Sequence, residues 1–288
     1  MSSRHEPDTL TPHMTHAQMG VLMKNRISRI ALLGLTATAT LTLSACGSSA
    51  GGDANGGDTD GGITTVSEGK LTVCSDIPYE PFEMLDEASG EPIGFDIDIV
   101  QAVADDMGLE LAVVDSSFEA ITSGLFGTDC DIAASSITIT DERKQNVDFS
   151  DPYYNDALVL IAAKDAGITS IDDAKGKTVG VQAATTGAVY AADNGLDPIE
   201  FEDSGQQILA LTAGNTVASL GNQSVLKFAI KGNDDFVVVE DIPTDENLGI
   251  IVPKGKNAEI LAEVNKTIKR LTDSGELAEL EAKWFEGK

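Results

Sequence analysis

Ser135-Ser136-Ile137-Thr138-Ile139-Thr140-Asp141-Glu142-Arg143, followed shortly by Asn146-Val147-Asp148-Phe149-Ser150-Asp151-Pro152-Tyr153, is the stretch on which this chain's fold turns. A short apolar strand, Asp131 to Ala134, runs out just before it. Three hydroxyls then follow at 135, 136 and 138. Thr140 reads as a helix N-cap, with acidic residues directly behind it and Arg143 three positions on. A strand end, a row of hydroxyls and a guanidinium on a first helical turn make a binding surface. Hydroxyls donate or accept, and arginine offers a flat fork of donors that fits a carboxylate. A polar loop with a surface arginine would use the same residues, so the flanking chain has to decide.

Upstream, Lys70-Leu71-Thr72-Val73-Cys74-Ser75 reads as a buried strand. It ends in Asp76-Ile77-Pro78-Tyr79-Glu80-Pro81-Phe82-Glu83, a proline-punctuated turn with two aromatics. Gly94-Phe95-Asp96-Ile97-Asp98 opens a helix, with Ile97, Val100, Ala104 and Met107 on one face and Gly108 as its stop. Leu109 to Val114 predicts a strand, Phe118 to Phe126 a short helix, and Asp131 to Ala134 a third strand. This alternation predicts a parallel sheet with helices on both faces. Ligands of such sheets sit at the carboxyl ends of the strands, where Asp76, Tyr79, Phe118 and Ser135 fall.

Downstream, Ala157 to Ala162 is a continuous apolar run, read as a strand crossing into a second unit. Ile171 to Lys175 predicts a helical turn and Thr178 to Val181 a strand. Gly176-Lys177-Thr178 imitates a phosphate loop, but Ile171 stands where the first glycine is needed and a strand follows. Thr185-Thr186-Gly187 caps the next helix, whose N-terminal N–H groups suit an anion. Ser204 to Gly214 predicts a helix, Thr216 to Leu220 a strand, and Asn222 to Ile230 a helix. Gly249 to Val252 reads as a second crossing strand. Asn257 to Leu271 and Gly275 to Phe285 read as helices returning to the first unit.

S-S-x-[ST]-I-T-x-x-R with V-D-F-S-D-P-Y resembles the signature of the solute-binding proteins of amino-acid ABC importers, extracellular solute-binding protein family 3. The resemblance extends from about Lys70 to the end, through S-D-x-P-Y-x-P-F-E, G-F-D-x-D and the closing Lys283-Trp284-Phe285. It implies an α/β, two-lobe, type II periplasmic-binding-protein-like fold, each lobe a mainly parallel sheet flanked by helices, joined by two hinge strands. Lobe 1 is then 68–156 plus 250–288, and lobe 2 with the hinge strands is 157–249. The residues matching Tyr79 and Phe118 would clamp the ligand's stem between two rings. Asp76 would lie near its distal end, which favours a polar or basic side chain. Ser135, Ser136 and Thr138 would meet its amino and carboxylate groups, Arg143 would grip the carboxylate, and Thr186 would reach it from lobe 2. The chain departs from the pattern at Asn222, where the family usually has an aspartate for the α-ammonium, and at Val217. A charged hydrogen bond is worth roughly 1.5–3 kcal/mol against ~1 for a neutral one, so another carboxylate has to compensate or the ligand is atypical.

The implied activity is delivery of an amino acid or close analogue to permease subunits in the membrane, by a monomer that closes its lobes over the ligand. No cofactor or metal is expected, and ATP hydrolysis would belong to a separate subunit. Two other readings use the same fold. One is a cyclohexadienyl or arogenate dehydratase, with Asp76 or Glu83 as the only sort of general acid at hand. The other is a sensory binder that feeds no transporter.

Composition narrows the field further. The 288 residues carry a net charge of −28, which argues against nucleic acid and anionic membrane surfaces as partners. His5, His13 and His16 all precede an apolar export segment. Without them, Ser-His-Asp and Cys-His catalysis and histidine-ligated zinc are excluded. The basic Met23 to Arg29, the apolar Ile30 to Leu43 and the small residues before Cys46 predict a signal peptide over 1–45, with translation starting at Met23. Leu43-Ser44-Ala45-Cys46 resembles a lipobox, so Cys46 would be lipidated and the protein anchored outside the cytoplasm, touching the membrane only through that lipid. Residues 46–67 predict a flexible tether. Asp58-Thr59-Asp60-Gly61 hints at a calcium loop, but Gly69 occupies its twelfth position. Cys74 and Cys130 in an exported protein predict a disulfide, although one closes a strand and the other precedes one, which leaves their reach open.

Overall fold

A computed structural model describes residues 63–286. The Met23 start, the export segment, Cys46 and most of the tether lie outside the described residues. β1 (Lys70–Ser75) is buried from Leu71 onward, as its apolar run requires. A small hairpin, β2 (Met84–Leu85) with β3 (Pro92–Ile93), follows the proline turn. α1 (Phe95–Met107) begins at Gly94, where a Cβ would lie 2.0 Å from the Phe82 carbonyl oxygen. It ends at Gly108 in the left-handed conformation, which costs glycine little. β4 (Glu110–Asp115), α2 (Phe118–Thr122), β5 (Ile132–Ala133) and β6 (Val147–Phe149) complete the first pass.

The chain then crosses in β7 (Tyr154–Ala163). A second set follows: β8 (Val179–Gln182), α3 (Thr186–Asp193), β9 (Ile199–Phe201), α4 (Ser204–Thr212), β10 (Ala218–Asn222), α5 (Gln223–Ala229) and β11 (Phe236–Leu248). It returns through β12 (Ile251–Pro253), α6 (Ala258–Ser274) and α7 (Glu276–Glu281).

Two five-stranded sheets result, in the orders β4-β1-β5-β12-β6 and β11-β7-β10-β8-β9. In each, one strand runs against the other four: β12 in the first sheet and β7 in the second. Both reversed strands arrive from the opposite lobe. They start at the cleft, where the strands carrying the site residues end. The two-lobe α/β fold is therefore present, and the carboxyl ends of β1, β5, β8 and β10 converge between the lobes. Each sheet has its own apolar core, around Leu71, Phe82, Phe95 and Ile132 in lobe 1 and around Leu158, Val181 and Leu220 in lobe 2.

Several local features differ from the sequence expectation, among them the helix expected over Phe118 to Phe126, which ends at Thr122. After Thr140 the chain makes a single tight turn, Arg143–Gln145, because β6 starts two residues later. Thr140 still caps it, accepting from the Arg143 N–H at 3.2 Å. β10 starts at Ala218 and runs on to Asn222. The second crossing is preceded by β11, thirteen residues long and unanticipated. It lies at a sheet edge, so one side of its backbone needs no partner, and an edge accommodates Pro243 and a bulge. Cys74 and Cys130 are bonded, with Cα atoms 5.7 Å apart. Their reach is met because β1 and β5 are adjacent strands.

Candidate functional site

The first lobe's groups are set by strand ends. β1 delivers Asp76 and the turn bearing Tyr79, α2 delivers Phe118, and β5 delivers Ser135, Ser136 and Thr138. All six are buried, as is Arg143. Ser135 donates its hydroxyl to Glu83 and accepts the Asp76 N–H at 3.1 Å. The Ser136 N–H donates to Asp96 at 2.8 Å, and the Tyr153 hydroxyl donates to the same carboxylate. Ser136 takes a left-handed φ of 48, a conformation that a serine holds only where its surroundings impose it. Its own hydroxyl is buried with no protein partner.

Arg143 lies across the mouth of the cleft. Its Nη1 donates to the Thr138 carbonyl at 2.9 Å and its Nη2 to the Ala184 carbonyl of lobe 2 at 3.0 Å. The guanidinium sits 5.1 Å from the centre of the Phe118 ring, in cation–π contact. Burial pulls its pKa down to about 10, so it remains a cation at neutral pH.

From lobe 2, Thr185 caps α3 through its hydroxyl, and Ala184 before it also has a positive φ, 60. The half-buried Thr186 donates to Glu246 at 2.8 Å, and Thr138 of lobe 1 donates to the same oxygen at 2.6 Å. Asn222 accepts from the Tyr79 hydroxyl at 2.8 Å. Gln182 donates to Asp76 at 2.5 Å, while its own carbonyl oxygen is buried without a partner. The lobes thus touch directly, and the cleft is closed.

All nine expected ligand contacts converge on this cleft. Glu83, Asp96, Asp156, Gln182 and Glu246 join them and were not expected as contacts. Gln182 and Asp156 carry a signal, a polar side chain at the edge of an apolar run, whereas Glu246 lies in Pro243-Thr244-Asp245-Glu246-Asn247, where nothing sets it apart.

Space remains at both ends. A cavity of about 540 Å³ opens beside Arg143, lined also by Ala184, Thr186, Tyr190, Thr244 and Glu246. A smaller one of about 160 Å³ lies at the Asp76 end, ringed by Asp115, Glu202 and Asp203. Burial raises the Asp76 pKa to about 7, with Asp115, Asp203 and Glu202 adding to it against the Gln182 hydrogen bond. Burial likewise pushes up Glu83, and the nearby Asp96 pushes it further. Among the described residues, Asp76, Glu83, Asp96, Asp156 and Glu246 are buried around the cleft against one buried cation, Arg143. Burial favours the neutral form of several of these carboxyls, and a cationic ligand would pull one that faces it, Asp76 above all, toward the ionised form.

The family model of bacterial extracellular solute-binding proteins, family 3, matches residues 71–287. The arginine-binding extracellular protein ArtP of Bacillus subtilis (strain 168) is 32% identical over 263 residues, covering 89% of this chain and 98% of that protein. Among solved structures, an ancestral arginine-binding protein bound to arginine superposes with a TM-score of 0.70 at 31% identity, over 75% of this chain and 98% of the other. An ancestral amino acid-binding protein described as a precursor of cyclohexadienyl dehydratase gives 0.70 at 33%, over 75% and 96%.

Proposed function

From the premise that this chain belongs to the bacterial extracellular solute-binding proteins of family 3, we propose that it is the receptor of an amino-acid ABC importer, selective for a basic amino acid. As a member of an extracellular family it works outside the cytoplasm. One observation carries the basic preference: a buried guanidinium at one end of the closed cleft and a hollow ringed by carboxylates at the other. Arg143, with the Thr138 and Thr186 hydroxyls, takes the ligand's carboxylate. Tyr79 and Phe118 flank its stem, and Ser135 and Ser136 border the same space. Asp76 takes the distal cation, and the Gln182 carbonyl oxygen gains a donor there.

Lobes 68–156 with 250–288 and 157–249 close about the two crossings, and the closed monomer docks on the permease. The lipobox supports anchoring through Cys46, which labelling with a lipid precursor would test against Cys46→Ser. We place no chemistry at the site. Glu83 is wholly buried behind Ser135, and incubation with prephenate should give no aromatic product. Titration calorimetry across basic, neutral and acidic amino acids tests the main reading. Basic ones should bind tightest, and tighter binding of glutamate or aspartate would sink it.

A further inference from the structure

Asp156 on β7 and Glu246 on β11 stand directly opposite each other in the antiparallel ladder where the chain crosses between lobes. Cross-strand partners project from the same face of a sheet, and like charges placed so repel. Both residues are 5% exposed, so water screens them little. β11 is built to hold this register: it bulges between Ile242 and Glu246, with Asp245 at a φ of 54, and pairing resumes at Glu246. A bulge of this kind re-aims the side chains that follow it.

The partners of the pair are neutral. Asp156 accepts from the backbone N–H groups of Ala157 (2.8 Å) and Ser224 (3.3 Å). Glu246 accepts the hydroxyls of Thr138 and Thr186. Arg143 attracts Glu246, yet its hydrogen bonds go to the Thr138 and Ala184 carbonyls. Asn222 links the pair to the rest of the site. Its Nδ2 lies 3.4 Å from Asp156 Oδ2, and its Oδ1 accepts from Tyr79. The neutral amide at 222 therefore has an acidic side chain immediately behind it, a carboxyl whose pKa burial raises until a cation faces it.

We infer that the Asp156–Glu246 pair is the counter-ion for the ligand's α-ammonium group, and that Asn222 is a positioning residue for Asp156. The inference rests on the amino-acid reading above. An ammonium brings three donors and a unit charge, so it relieves the repulsion between the carboxylates only when ligand is present. Asp156 supplies the charge that is absent at position 222.

Calorimetry on the mature chain with L-arginine and with its des-amino analogue, 5-guanidinopentanoate, tests this. Asp156→Asn should weaken L-arginine by roughly tenfold or more, because a charged hydrogen bond becomes a neutral one. The same change should leave the analogue within about twofold, since no ammonium remains to lose. Asn222→Asp alone should give no gain, because it sets a further carboxylate against Asp156. Combined with Asp156→Asn, it should restore most of the loss. Wild-type protein provides a measure that needs no variant, and should prefer L-arginine over the analogue by roughly tenfold or more. Equal binding of L-arginine by Asp156→Asn, tighter binding by Asn222→Asp alone, or equal binding of both ligands by the wild type would each overturn the inference. A wild type that binds no amino acid would instead remove the reading on which it rests.

Discussion

The two faces of the cleft are built differently. On lobe 1 three of the site groups, Ser135, Ser136 and Arg143, have a partner within their own lobe. Ser135 is held by Glu83, Ser136 by Asp96 and through it Tyr153, and Arg143 by the Thr138 carbonyl. The two strands that carry Asp76 and Ser135 are also joined by the Cys74–Cys130 bond. On lobe 2, Gln182, Asn222 and the Ala184 carbonyl have their partners across the cleft, on Asp76, Tyr79 and Arg143. Lobe 1 is therefore a preorganised platform, where ordering groups costs little at binding. Lobe 2 is a cover whose contacts exist only on closure, so a ligand favours the closed form by what it adds between them.

The largest expected effect comes from removing the platform's cation. Arg143→Met keeps apolar volume beside Phe118 and deletes the buried charge. Breaking a buried pair costs about 3–5 kcal/mol, which is more than roughly a hundredfold in affinity for a basic amino acid by calorimetry. A loss under about tenfold would mean that the two faces share the acid group evenly.

Next is the covalent tie. Replacing Cys74 and Cys130 by serine opens a loop with a sequence separation of 56. Loop entropy then predicts a loss of about 4 kcal/mol of stability, seen as a lowered denaturant midpoint. Affinity measured well below the melting temperature should change far less. If affinity falls as steeply as stability, the platform owes its order to the bond rather than to its hydrogen bonds.

The same contrast explains what could be read in the sequence. Apart from Phe118 on α2, lobe 1's expected groups sit in two short segments, 76–83 and 135–143, next to strand ends with clear apolar runs, so residue type and spacing reveal them. The crossing pair could not be read that way. Asp156 and Glu246 are ninety positions apart in the chain and meet only through the register of β7 and β11. β11 itself hides because Pro243 and a run of acids interrupt its pattern, which an edge strand tolerates and a central one does not. Gln182 reads as the polar end of a strand until the lobes close and bring it to Asp76.

Acidity sharpens the comparison at the Asp76 end. With its pKa raised to about 7, the folded protein keeps a proton there that the unfolded chain loses near 3.8. The stability this group contributes is full below that lower value and is lost as pH rises through 7. Glu83 is also shifted upward, chiefly by burial. The ligand-free protein should therefore melt higher at pH 5.5 than at pH 8. Binding runs the other way, because a cationic side chain needs the ionised form. Affinity for a basic amino acid should fall about tenfold from pH 8 to pH 6, and a ligand with a neutral side chain should show a much flatter profile. Parallel profiles for the two ligands would place the titrating group away from the distal end.

The smallest effect belongs to the cover. Thr186→Val is isosteric and removes one hydroxyl, which donates to Glu246 across 2.8 Å. In the proposed complex this hydroxyl turns to the ligand's carboxylate, where a hydrogen bond to a charged group contributes roughly 1.5–3 kcal/mol; Arg143 and Thr138 hold the same carboxylate, so the low end of that range applies, roughly tenfold in affinity. Its division between rates is the informative part. If ligand meets lobe 1 first and lobe 2 then closes, the association rate should stay within about twofold while dissociation accelerates to account for the whole change. Stopped-flow binding measures both. An equal share in the association rate would mean that lobe 2 takes part in the first encounter, and the division into platform and cover would fail at the residue chosen to represent the cover.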